Sequence, residues 1–142
     1  MKKNLVNATG LLILLSAFFL IGCGGSETVE TELDASQPIT LKFEGQDILF
    51  DVTEATVKSG QEVTVELNNV GTLEHSWVLI SDRVDPLLAT EADALLGANS
   101  GVVAGGESTS FTFFAPSPGD YIFVCTIEGH AAAGMLGDFK VE

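Results

Sequence analysis

Close to the C-terminus the chain reads Cys125-Thr126-Ile127-Glu128-Gly129-His130-Ala131-Ala132-Ala133-Gly134-Met135. A thiol, an imidazole and a thioether stand there at Cys-x4-His-x4-Met spacing, in glycine-bounded sequence between two apolar runs. Well upstream, His75 opens another apolar run, His75-Ser76-Trp77-Val78-Leu79-Ile80. Two His, one Cys and a long, weak axial Met make the donor set of a mononuclear blue-copper centre. The thiolate overlaps strongly with copper, the imidazoles suit both Cu(I) and Cu(II), and the thioether favours Cu(I). Such a mixed set tolerates both oxidation states and needs little rearrangement on electron transfer.

Each residue type has a plainer reading. A lone Met in a loop is usually packing, a lone His is usually a hydrogen-bonding group, and a free Cys is often a small buried hydrophobe. The chain has only two Cys, two Met and two His, and coincidence would have to put His75, Cys125, His130 and Met135 into one pattern. Zinc rarely takes Met and prefers tetrahedral Cys/His sets. A nucleophilic Cys-His pair leaves Met135 and His75 without a role.

The second Cys has a different context. Lys2 and Lys3 precede Leu11-Leu12-Ile13-Leu14-Leu15-Ser16-Ala17-Phe18-Phe19-Leu20-Ile21. A membrane-spanning helix needs about 20 apolar residues, and this run has eleven, so residues 1–22 read as an export signal. The end, Leu20-Ile21-Gly22-Cys23, resembles a bacterial lipobox, which implies lipid on Cys23 and an exported chain anchored to a bacterial membrane. It would face the periplasm or the cell exterior. Cleavage before Cys23 removes Lys2, Lys3 and Met1, leaving four cations against twenty acids, a charge of −16. Cys125 then has no disulfide partner within the chain, and Met135 is its only Met.

Residues 23–37 are small, polar and acidic, and read as a lipid-anchored flexible tether. From residue 38 to 142 the pattern is that of one domain. The full chain carries a net charge of −14 with six basic residues, too few for a phosphate-binding footprint. Nucleic acid is therefore excluded as a partner. The 46% apolar content supports a packed core rather than a disordered acidic chain.

The elements that must position the donors are strands. Ile39-Leu41-Phe43, Ile48-Phe50-Val52 after a turn at Gly45-Gln46, Val63-Val65-Leu67, Phe111-Phe113 and Leu136-Phe139-Val141 follow a near period-two pattern. Trp77 to Ile80 and Tyr121 to Cys125 are continuous apolar runs, as expected of central strands. Seven or eight short strands predict an all-β sandwich. One segment departs from this. Pro86 to Leu96, closed by Gly97, has helix-forming residues with Leu87, Leu88, Leu95 and Leu96 able to share a face, and predicts a short helical insert over 86–97.

With these residues in place, the chain resembles the cupredoxins, the small blue-copper electron carriers, and within them the azurin-like auracyanin branch. The spacing Cys125-x4-His130-x4-Met135 carries the likeness, with His75-Ser76-Trp77-Val78-Leu79, Ala104-Gly105-Gly106-Glu107-Ser108 and Pro118-Gly119-Asp120-Tyr121. The resemblance implies a Greek-key β-sandwich over 38–142 and one type 1 copper ion held by His75, Cys125, His130 and Met135. It also implies a non-enzymatic, monomeric one-electron carrier. Where cupredoxins commonly have an Asn bracing the ligand loops, this chain has Ser76, so Ser76 and Thr126 are the candidates for that brace. Glu74 stands where azurin has a Gly, so a fifth, carbonyl ligand is not expected.

In the family the second His meets the surface inside an apolar patch. That implies an electron port made of His130, Ala131, Ala132, Ala133 and Leu136. The acidity suits a cationic redox partner, such as a basic c-type cytochrome or a membrane respiratory or photosynthetic complex. The alternative is a copper storage, delivery or tolerance lipoprotein without an electron-shuttle role.

Overall fold

The structure is a computed structural model that describes Ala35 and residues 37–142. The expected export signal, the lipidation site Cys23 and nearly all of the acidic tether lie outside the described residues. Among the described residues no helix is long and apolar enough to cross a membrane.

Eight strands follow in order: β1 (Ile39–Gln46), β2 (Leu49–Phe50), β3 (Glu54–Val57), β4 (Glu62–Asn69), β5 (Val78–Ser81), β6 (Ser108–Phe114), β7 (Gly119–Val124) and β8 (Leu136–Val141). They make two four-stranded sheets, ordered β2-β1-β4-β6 and β3-β8-β7-β5. The β1–β4 and β3–β8 pairs are parallel, and the other pairs are antiparallel. This is the expected all-β sandwich.

Alternation decides what each sheet buries. In β4, Val63, Val65 and Leu67 are fully buried while Glu62, Thr64, Glu66 and Asn68 turn outward. Trp77 lies at the centre of the core. Its ring stacks on Phe123 at 5.5 Å and 11°, and Phe43, Phe111, Phe113 and Phe139 surround it. Burying a side chain of this class stabilises the fold by about 1.5–3 kcal/mol.

A second, smaller apolar cluster covers the other face of the β5–β7–β8 sheet. Val78, Ile80 and Val124 are buried there under Val84 and, from the insert, Ala89 and Ala94, with Ile122, Ala131 and Leu136 packed alongside.

Three local expectations differ from the fold. The insert is not one helix over 86–97. Its helical content is two single 3-10 turns, Glu91–Asp93 and Leu95–Gly97. Leu96 adopts φ 52°, which stops propagation. Leu87, Leu88 and Leu96 do not form a buried face but stay exposed, Leu88 at 76%; the insert packs through Ala89 and Ala94 instead, beside Val84. The first turn lies at Asp47-Ile48, not Gly45-Gln46, because β1 keeps its register with β4 as far as Gly45↔Asn69. β3 was not apparent in the alternation pattern.

Candidate metal centre

His75 lies three residues before the start of β5, and Cys125 immediately follows β7. These strands are paired with Val78 opposite Val124, so both donors emerge at one end of the same sheet. His130 and Met135 lie on the loop between β7 and β8. Consecutive turns wind that loop: His130 N–H donates to Ile127 O, Gly134 N–H to Ala131 O and Met135 N–H to His130 O, each at 3.0 Å. The N–H of Cys125 donates to Met135 O at 3.0 Å and closes the loop at its base. Gly129 and Gly134 take φ 83° and 104°, which residues with a Cβ rarely adopt.

The outcome is convergence. Nδ1 of His75 lies 3.3 Å from Nδ1 of His130, and Nδ1 of His130 lies 3.5 Å from Sγ of Cys125. The three donor atoms all fall within 4.8 Å of one another. His75, Cys125 and Met135 are fully buried, and His130 retains 8% exposure. Two ring nitrogens and a sulfur that face one another out of water fit a thiophilic cation. This donor chemistry matches copper.

The surroundings favour the ligand form of His75. Burial lowers the His75 pKa below its ordinary value; the His130 charge lowers it further, against weaker opposing effects from the Gln46 backbone and Asp47. The ring is thereby held neutral, as metal binding requires. Ser76 N–H points at Cys125 Sγ at 3.4 Å. Ser76 Oγ accepts Thr126 N–H at 2.9 Å and lies 2.9 Å from Thr126 Oγ1. The shorter side chain thus spans the two ligand segments.

The His75 ring is fitted against the end of β1. A Cβ on Gly45 would stand 2.9 Å from its Cδ2. His75 also exchanges both backbone hydrogen bonds with Val103, N–H to Val103 O at 3.0 Å and O from Val103 N–H at 2.7 Å. Sequence reading placed Gly45 in a turn rather than against the His75 ring, and it did not pick out Val103. The only available signal was a glycine placed inside an otherwise regular strand.

The loop residues expected at the surface divide into two groups. Ala132 and Ala133 are exposed. Ala131 and Leu136 are half-buried, packed against the small cluster beneath the insert. Other apolar side chains at this end are exposed instead: Ile48, Val70, Leu73 and Val102. Their loops are joined by Thr72 N–H to Asp47 Oδ1 at 3.2 Å and by the close approach of Gly105 to Thr72 O.

Comparison with known proteins agrees with this geometry. Residues 37–142 match the copper binding proteins of the plastocyanin/azurin family. Auracyanin-A of Chloroflexus aurantiacus is 30% identical over 158 residues, covering 92% of this chain and 93% of the relative. The copper-resistant cuproprotein CopI of Rubrivivax gelatinosus is 33% identical over 98 residues, covering 66% of this chain and 59% of the relative. The solved structure of auracyanin A, described as a "blue" copper protein from that green thermophilic photosynthetic bacterium, superposes with a TM-score of 0.60 at 28% identity. It covers 75% of this chain and 100% of that one. A buried His-Cys-His cluster carried by a sandwich matched across its described length settles the assignment: the chain belongs to the plastocyanin/azurin family of copper-binding proteins, as a blue copper electron carrier that takes one type 1 copper ion.

Proposed function

We propose that this chain shuttles single electrons between membrane-associated redox partners, using His75, Cys125 and His130 as the strong ligands and Met135 as the weak one. Copper bound there supplies a one-electron Cu(II)/Cu(I) couple. The observation that carries the reading is the 3.3 Å approach of the two buried Nδ1 atoms beside the Cys125 thiol. Sandwich and loop hold these donors together by their own hydrogen bonds, so the ligand cage need not reorganise when the charge changes. Cys125 provides the covalent route for the electron, and Ser76 N–H stabilises its thiolate. The 8% of His130 that reaches the surface is the port.

Around the port, Ala132 and Ala133 with Leu73 and Val102 offer small or apolar contacts, suited to a brief docking of small area. The −16 charge expected of the processed chain favours a cationic partner, such as a basic c-type cytochrome. Lipid on Cys23 would keep the domain at a bacterial membrane, facing the periplasm or the exterior. The test is optical and electrochemical. Copper-loaded protein is expected to show an intense blue band and a reversible one-electron wave, and Cys125→Ser is expected to abolish the band. A colourless copper complex would refute the reading. Salt-independent electron-transfer rates with a basic cytochrome would remove the steering role.

One observation favours a second reading. The similarity to a copper-resistant cuproprotein suits a copper-tolerance or delivery role. Copper that exchanges rapidly and shows no reversible wave would support it over the shuttle.

A further inference from the structure

Asn69 ends β4 and is fully buried, a costly place for a side-chain amide unless every polar atom is paired. Here every polar atom is. Its Nδ2 donates to Leu73 O at 2.7 Å and to Val103 O at 2.9 Å, and its Oδ1 accepts Gly71 N–H at 3.1 Å. Its own backbone N–H donates to Glu107 O and its carbonyl accepts Gly106 N–H, both at 2.9 Å.

The partners share one property. Gly71 and Leu73 belong to the loop that delivers His75, and Val103 is the residue that exchanges backbone bonds with His75. Val103 O therefore receives two donors, Asn69 Nδ2 and His75 N–H. The adjoining loop fits tightly over the same place: a Cβ on Gly105 would lie 2.8 Å from Thr72 O.

We propose that Asn69 is a positioning residue for the metal centre: its buried amide clamps the 70–74 loop to Val103 and so fixes the His75 imidazole before any metal arrives. Asn69 does not touch the donors. It acts through the backbone on both sides of His75, so its removal frees a ligand without deleting one. This inference rests on the copper reading above for its effect on the metal, but the clamp itself is a property of the metal-free protein.

The test therefore has a metal-free arm and a metal-bound arm. In native protein without copper, the amide hydrogens of His75 and Gly71 are expected to exchange slowly with solvent, close to their rate with copper bound. Fast exchange that copper alone suppresses would overturn the clamp. In the second arm, Asn69→Ala and Asn69→Ser are loaded with copper beside Asn68→Ala, whose exposed side chain accepts a hydrogen bond from Ser108. Outer supports of metal ligands are typically worth about 10–100-fold in metal affinity. The Asn69 variants are expected to release copper to a chelator about 10-fold faster and to change the copper hyperfine splitting, with Asn68→Ala unchanged. If Asn69→Ala does not fold, Asn69→Ser, which keeps one donor, carries the comparison. Variants that melt earlier but keep the native splitting and release rate would make Asn69 structural only, and the proposal would fall. Native protein that shows no blue band would instead refute the copper reading and leave the exchange result standing.

Discussion

Ser76 and Thr126 are joined twice, by the Thr126 N–H on Ser76 Oγ at 2.9 Å and by the two hydroxyl oxygens at 2.9 Å. The bond ties the segment after the first His to the segment after Cys125 within the buried site. Ser76→Ala leaves the Thr126 N–H without its partner. The expected loss is about 1–3 kcal/mol in chemical denaturation of the metal-free protein. The Ser76 N–H to Cys125 Sγ is a backbone group and survives the change, so the copper-loaded variant is expected to stay blue.

Gly137 has no room for a side chain. A Cβ there would overlap the Phe123 ring and the Thr53 carbonyl, and Phe123 stacks on Trp77 at the core's centre. Gly137→Ala is expected to cost about 3 kcal/mol through overpacking. Thermal melts of the metal-free variant against native protein check this, and an unchanged midpoint would contradict the packing.

Leu96 is the opposite case. It is an exposed leucine held at φ 52° in the insert. Glycine removes a left-handed strain of about 1–2 kcal/mol and gives back part of it through the freer unfolded chain. Leu96→Gly is thus expected to raise stability by about 0.5 kcal/mol, measured by denaturant titration. Destabilisation would mean that the exposed side chain makes a contact worth more than the strain.

Glu142 receives both Lys140 at 2.8 Å and Lys58 at 3.2 Å. The Lys140 hydrogen bond is the main cause of its lowered pKa, followed by that from Lys58. A carboxylate with a lower pKa in the folded state stabilises the fold at pH above its unfolded value, about 4.3 for Glu. That contribution fades as pH falls through the folded value. Glu142→Gln is expected to flatten the acid limb of the stability profile below about pH 4.3 and to leave stability above that pH nearly salt-independent at this site. Melting points measured across pH decide it.

The metal centre was legible because its donors are rare. With two His, two Cys and two Met in the chain, rarity, the Cys-x4-His-x4-Met spacing and the family resemblance singled out His75, Cys125, His130 and Met135, and the fold brings His75, Cys125 and His130 within 4.8 Å of one another. The strands that carry their own alternation, such as Val63-Val65-Leu67, were equally plain. β3 was not, because Glu54-Ala55-Thr56-Val57 holds little apolar bulk. It is a strand by virtue of its parallel partner β8, Ala55 beside Phe139 and Val57 beside Val141. Asn69 escaped notice for a related reason. A polar residue closing a strand looks like the start of a turn, and only the fold reveals two carbonyls aimed at its amide. In the insert, leucine spacing suggested a helical face, but two alanines of the same stretch, Ala89 and Ala94, do the packing.

β1 links two ends of the molecule. It begins at Ile39, opposite Val63, and finishes with Gly45 against the ring of His75. Six residue steps along the strand separate those points by roughly 20 Å. The described domain is therefore polar along this strand, with the chain arriving at one pole and the redox centre standing at the other. With the lipid anchor proposed above, lengthening or shortening the approach to Ile39 would change the reach of the domain while leaving the donor set untouched. Reach and potential are thus independently adjustable.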